Sequence, residues 1–493
     1  MATLAPIFRE TEVLLTGANG FLGKVILALL LDRFPEVKRI HVLVRPRSNL
    51  SAVDRFAREV LDSPPLQPLV RKAGREAVRE RINVLSGDAS TRLAGLSAEQ
   101  AGELAGRVGL VLNCAGLVEF FPPLDLSLRA NVDSVERLLE LCSRLNAKLL
   151  HVSTCYVAGE SDGLVEETEA VLGFYPRRSG PLDTSFSAAA VLAGCREAAA
   201  AAADGLQAAE RASALTELGR VQAAKWGWVN TYTFSKSLGE QLLASQDKVP
   251  YAIVRPAIVE SALHYPFPGW IEGGRTAAPL ALMALGGLLD WPARPDLSLE
   301  IVPVDLVAAG TLAVAGALLS GRSRQVYQLA SSDVNPYPLA DLIGLLCDEA
   351  RANGNQVRRP PLWLDPLPRL RFLSAIEAER RRETQRARIK RIQGLLGWAG
   401  QSGRASQLRI LELQMGFHEE TFRQYTPFIL DHRYVFEAVN IRRCYEQLDA
   451  ADRELLPWNP EAINWPEYWR NCQIPGIRQW VQPEAVRQWA FQL

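Results

Sequence analysis

Short apolar runs alternate with stretches of helical spacing through the first 150 residues. Val13-Leu14-Leu15 is continuously apolar, as a strand covered on both faces requires. From Gly20 to Asp32 the apolar positions Phe21, Leu22, Val25, Ile26, Leu29 and Leu30 recur at helical spacing and share one side of a helix. Arg39–Val44, Arg81–Ser86, Val108–Asn113 and Lys148–Val152 repeat the strand pattern, and about Asp125 to Leu145 repeats the helical one. This alternation predicts an α/β fold built on a doubly wound parallel sheet.

The joint between the first strand and the first helix carries candidate chemistry. Thr16-Gly17-Ala18-Asn19-Gly20-Phe21-Leu22-Gly23 is a GxxGxxG loop between a strand and a helix, the context in which such a loop holds a dinucleotide. Helix N-terminal N–H groups and the dipole face a pyrophosphate there, and glycine permits its close approach. The sheet is therefore expected to be of Rossmann type. Where a ribose-binding Asp or Glu would end the second strand, the chain places Arg45 and Arg47. Guanidinium groups suit a phosphate dianion, so the expected cofactor is NADPH. Asp88 and Ala89 after the third strand, and Cys114, Ala115 and Gly116 after the fourth, are expected along the same cofactor.

A second motif supplies a reaction. Ser153 and Thr154 end the fifth strand, at the carboxyl edge where open α/β sheets bind ligands. Tyr232 and Lys236 then occupy one face of a later helix, four residues apart. A nearby ammonium lowers a phenol's pKa toward the working pH, so Tyr232 can protonate a carbonyl oxygen as hydride arrives at carbon. Thr154 would bond the same oxygen and orient it.

Composition narrows the class. The 493 residues are 48% hydrophobic and 22% charged, as in a soluble globular protein. With 55 basic and 55 acidic side chains, the chain as a whole has no bias toward nucleic acid. Seven cysteines without paired spacing and the lack of a leader-like start point to a reducing, cytoplasmic setting. Neither they nor the five histidines show metal-ligand spacing, so no metal is expected. The longest apolar stretch, Ala277–Leu289, is too short to span a bilayer but long enough to lie on one.

Beyond these motifs the chain resembles the alcohol-forming fatty acyl-CoA reductases, in the male sterility branch of the extended short-chain dehydrogenases. The resemblance rests on Asn230–Lys236, Val254–Val259 with Pro256 and Ile258, and Pro266–Trp270. It continues through Tyr434–Glu437, Asn440, Leu448, Asp452-Arg453, Ile463–Tyr468 and Pro475-Gly476. It implies NADPH-dependent reduction of a long-chain acyl-CoA or acyl carrier protein thioester to a fatty alcohol, through an aldehyde. Thr154, Tyr232 and Lys236 would be catalytic, and Ser153, Tyr232, Lys236, Pro256 and Ile258 would also line the cofactor. Asn113–Gly116 and Glu119–Phe121 depart from the family pattern, and no catalytic role is expected of them. Two other readings stay open: a reductase that stops at aldehyde, and a non-catalytic NADPH sensor.

The expected domains are residues 1–365, which bind NADPH, and a mainly helical part at 366–493. The first includes a helical insertion near 160–228 and a substrate segment near 260–300. Ser187–Ala224 has strong helical composition, fitting a hairpin packed on the sheet or a lid over the acyl channel. Ala277–Leu289 fits a core helix, a channel lining or a segment dipping into a membrane surface. Gln325–Leu329 reads as a late strand and Pro338–Ala350 as a helix, with Arg358–Pro361 and Pro366–Pro368 as a linker. The linker leads into a basic run, Arg369, Arg371, Arg380, Arg381, Arg382, Arg386, Arg388, Lys390 and Arg391. That run suits a solvated helix face, or an anion such as CoA phosphates, an acidic carrier protein or lipid head groups. A homo-oligomer and peripheral membrane contact also stay open.

Overall fold

Seven strands form the central sheet: β1 Glu12–Thr16, β2 Arg39–Val44, β3 Ile82–Ser86, β4 Val108–Asn113, β5 Lys148–Val152, β6 Tyr251–Pro256 and β7 Val326–Leu329. Their order is β7-β6-β5-β4-β1-β2-β3 and every pairing is parallel. The computed structural model describes residues 3–167, 170–180, 182–274, 276–352, 369–398 and 402–483. The strand order reverses between β1 and β4, and that crevice is where such sheets bind ligands. Register brings Thr16, Asn113 and His151 to neighbouring positions on β1, β4 and β5. The Rossmann-type sheet expected from the alternation is the one observed.

Helices cover both faces. Helix α1, Phe21–Arg33, begins one residue beyond the sequence expectation, with Gly20 as its N-cap. The expected helix from Asp125 to Leu145 is observed as a rod in three pieces. Leu124–Leu128 leads into a π-turn at Arg129–Asp133 and then into α2, Ser134–Leu145. A π-turn adds a residue to one helical turn, a local distortion that simple helical periodicity does not predict. The insertion forms two helices, α3 Ala188–Ala203 and α4 Ala208–Trp226, broken where Gly205 takes a φ of 70°. They do not lie directly on the sheet. Leu192, Cys195 and Ala223 pack instead with Phe234 and Leu238 of α5, Thr231–Ala244.

Helix α6, Val304–Leu319, is almost wholly buried and packs against α1 and the strands. Ala278–Leu285, the helical part of the long apolar stretch, packs against α7, Leu339–Ala352. Six of its eight residues are buried, so it serves as core. The expected linker at Arg358–Pro361 and Pro366–Pro368 lies outside the described residues. Beyond it come the long helices α8, Ala375–Trp398, and α9, Ser402–Thr426, packed together as a hairpin. The C-terminal chain is tied to the rest by strand pairs, Arg371–Phe372 with Asp290–Trp291 and Tyr434–Phe436 with Gly163–Val165. Among the described residues, no helix is long and apolar enough to cross a membrane.

Candidate active site

The glycine loop is shaped by contacts that no side chain could share. Gly17 has a φ of 73°, and a Cβ there would lie 2.5 Å from the carbonyl carbon of Cys114. A Cβ on Gly23 would run into the Gly17 carbonyl, so α1 can start this close to the loop only with glycine there. The Gly20 N–H donates to the Gly17 carbonyl at 2.9 Å. Thr16 Oγ1 donates to Asn113 Oδ1 at 2.7 Å, and Asn113 Nδ2 bonds His151 Nδ1 at 3.0 Å. This buried chain of side chains joins β1, β4 and β5 at the crevice. Burial and the nearby Lys236 charge hold His151 well below its usual pKa, so it stays neutral.

The reacting groups expected from sequence converge on the end of β5. Thr154 hydrogen-bonds the side chain of half-buried Tyr232. The Thr154 hydroxyl also donates to the Pro256 carbonyl at 3.4 Å. Lys236 Nζ donates to the Val152 carbonyl at 2.9 Å. A Cβ on Gly116 would lie 3.0 Å from that Nζ. Burial pushes the Tyr232 phenol up, against the opposing bond from Thr154, so it holds its proton at neutral pH. Burial also pulls the Lys236 ammonium down to about 8, opposed by Cys114 and Glu240. The Cys114 thiol, pushed up to about 12 by burial, remains protonated. The buried Ser153 hydroxyl oxygen has no hydrogen-bond partner among the described residues.

The other predicted positions have local partners of their own. Asn19 Nδ2 donates to Glu59 Oε2 at 3.0 Å. Arg45 reaches Asp88 at 3.6 Å and Arg47 reaches Glu59 at 3.2 Å; their side chains are 66% and 64% exposed. Burial raises the Asp88 carboxyl, but bonds from Ser90 and the charges of Arg45 and Arg129 bring it below the usual range. Phe21 and Leu22 pack on the core, Ala89 flanks a second apolar cluster, and the Ile258 N–H donates to Glu300 O at 2.8 Å. Ala115 N–H reaches Thr16 Oγ1 at 3.3 Å. The tight glycine cradle and the unpartnered Ser153 hydroxyl fit a nicotinamide dinucleotide. Among the described residues, no group of three or more His, Cys, Asp or Glu is placed to hold a metal ion.

Several supporting residues had no role assigned from the sequence. Asn131, in the π-turn, bonds the Leu117 backbone in both directions, at 2.9 and 3.0 Å, and donates to Ser235 Oγ at 2.9 Å. Ser127 donates to the same Ser235 oxygen at 2.8 Å. Arg255 Nη2 donates to Glu240 Oε2 at 2.6 Å, a buried pair that fastens α5 to β6. Glu240 follows Tyr232 and Lys236 at a further four residues, the one sequence signal that could have marked it. An aromatic cluster adjoins these residues. The Tyr232 N–H donates to Phe120 O at 3.2 Å, and the Phe120 ring meets Phe428 at 5.6 Å. Tyr156 meets Phe428 at 4.9 Å and Tyr434 at 5.2 Å. Beyond Phe428, Ile429 joins Leu280, Ala281, Ile343 and Trp469 around an apolar cavity.

Comparison with known proteins agrees with this geometry. Residues 15–311 match the NAD-binding family described as male sterility protein. The chloroplastic fatty acyl-CoA reductase 2 of Arabidopsis thaliana is 28% identical, over 95% of this chain and 78% of its own. An alcohol-forming fatty acyl-CoA reductase of Simmondsia chinensis is 29% identical, over 69% of this chain and 71% of its own. Among solved structures, a reductase domain of a Mycobacterium tuberculosis non-ribosomal peptide synthetase superposes with a TM-score of 0.53. It is 18% identical and covers 96% of this chain and 95% of its own, a likeness of fold. A glycine cradle at the strand-order reversal, a Thr–Tyr–Lys cluster beside it and these relatives agree: the chain belongs to the male sterility family, with the fatty acyl-CoA reductases.

Proposed function

We propose that this chain reduces long-chain fatty acyl thioesters to primary alcohols, with NADPH as reductant and Thr154, Tyr232 and Lys236 as its catalytic residues. One observation carries the proposal: the three side chains gather at the end of β5, at the carboxyl edge of the sheet that also carries the glycine cradle. When bound, NADPH supplies hydride to the acyl carbon. Thr154 holds the carbonyl oxygen, and Tyr232 passes its proton to that oxygen as negative charge develops there. Lys236, charged below about pH 8, stabilises the phenolate left behind. The resulting hemithioacetal expels the thiol and leaves an aldehyde, which the same residues reduce in a second round.

Arg45 and Arg47 support NADPH over NADH, because their exposed side chains can turn to a ribose phosphate at little cost. Thr16, Gly17, Asn19, Gly20, Gly23, Asp88 and Cys114–Gly116 complete the proposed cofactor site, with Ser153 at the nicotinamide end. Residues 1–365 would hold the cofactor, and 366–493 would close the acyl side. The named activity of the relatives supports acyl-CoA as the thioester and, for the Simmondsia enzyme, alcohol as the product. Seven free thiols fit a reducing compartment such as the cytoplasm. The test is to count NADPH oxidised per thiol released from palmitoyl-CoA and to identify the product. Two per thiol, with hexadecanol, is expected. One per thiol with trapped aldehyde would replace the alcohol-forming reading by a two-electron one. Cofactor binding without turnover, on CoA or carrier thioesters, would leave a sensor.

A further inference from the structure

The distal half of the α8/α9 hairpin takes no part in the proposed reaction. Among the described residues, Ile389 is the last that is buried on α8 and Thr421 the first on α9, and none between them is buried. At 1.5 Å per residue, the end of α8 beyond Ile389 alone extends roughly 13 Å without core support. Near its tip Leu395 is 66% exposed and Trp398 is 91% exposed. Every other described tryptophan is buried or half-buried. Large apolar side chains left at the far end of an arm call for something to cover them.

Charge points to what that is. From Arg386 to Arg409 the sequence contains Arg386, Arg388, Lys390, Arg391, Arg404 and Arg409, and no acidic residue. The whole chain balances 55 basic against 55 acidic side chains, so this excess is local. Arg386 is paired with Glu419 of α9, while Lys390, Arg391 and Arg409 are exposed. An acidic protein would need only the cations. A bilayer surface uses both features at once: cations meet lipid phosphates, while Trp and Leu enter the boundary beneath them. We propose that the end of α8, from Lys390 to Trp398, together with Arg409 of α9, docks this protein on an anionic lipid surface. The proposal stands on the arm alone and is independent of which thioester the site reduces.

The experiment is co-sedimentation of the full chain with vesicles of phosphatidylcholine, with and without phosphatidylglycerol, at low and high salt. The wild type is expected on the anionic vesicles only, and more weakly at high salt. The triple change K390Q/R391Q/R409Q is expected to lower that partition about 100-fold, given what each basic residue contributes near an anionic surface. The pair L395S/W398S is expected to lower it at least ~10-fold, from the lost apolar insertion. Thermal melts and NADPH oxidation with a soluble short-chain acyl-CoA should match the wild type, because none of these five residues is buried. Absence of wild-type partition, equal partition onto neutral vesicles, or undiminished partition of either variant would overturn the proposal. So would a triple variant that loses an acidic carrier protein yet keeps its vesicles.

Discussion

The two walls of the candidate site are built on opposite principles. The cofactor wall is polar and short-range in design: Thr16, Asn113 and His151 bond in series across three neighbouring strands, beside a loop where glycine alone fits. The neighbouring wall is aromatic and long-range. Phe120, Tyr156, Phe428 and Tyr434 come from segments up to about three hundred residues apart and meet ring to ring. Polar groups fix geometry by direction and reject small displacements, because an unmade buried bond is costly. Aromatic packing fixes shape and can accept tails of differing length. Under the proposed function, chemistry and cofactor choice belong to the first wall and acyl choice to the second.

Substitutions on each wall can break that division. The largest effect is expected from Y232F, which removes the proton donor: kcat should fall about 10² to 10⁴-fold. NADPH affinity should hold in a binding titration. An equal loss of cofactor affinity would mean the phenol serves the cofactor wall instead. Lys236 sharpens the same point through pH. Its ammonium loses its proton as pH rises through about 8, so kcat should decline on the alkaline side of that value. Its folded pKa lies below the ordinary 10.5, so burial of its charge costs stability in full below about pH 8. That cost is relieved between there and 10.5, and the protein should gain stability over that window.

G17A should come next. It forces a side chain into a φ of 73° and against the Cys114 backbone. A loss of about 2 kcal/mol in a denaturant melt is expected, together with most of the NADPH affinity. The double change R45Q/R47Q should raise the KM for NADPH about 10 to 100-fold, through lost charge-assisted bonds, and leave the KM for NADH unchanged. Equal effects on both cofactors would remove the phosphate-binding role. F428L should be mildest, lowering kcat/KM for long acyl chains several-fold relative to short ones, with the NADPH KM unchanged. A change confined to NADPH would collapse the distinction between the walls.

Legibility follows the same division. The first strand, the glycine loop and α1 are consecutive in sequence, so their spacing alone placed Gly17, Gly20 and Gly23 where the fold uses them. Tyr232 and Lys236 were legible because four residues make one helical turn. The bonds made by Asn131 were not, since they depend on a π-turn that apolar periodicity does not encode. Nor was Phe428: its neighbours Phe120 and Tyr156 are distant in sequence, and a lone aromatic residue reads as ordinary core. The insertion was legible as helix from its alanines, but its seat on α5 depended on Phe234 and Leu238, residues of another element.

The most direct test follows the hydride itself. NADPH deuterated at the transferred position is mixed with palmitoyl-CoA, and the product is read by mass spectrometry. Hexadecanol carrying two deuterium atoms on its first carbon is the expected result, from two successive reductions of the acyl carbon. Alcohol with one deuterium or none on that carbon would contradict it, as would product that ends at the singly labelled aldehyde.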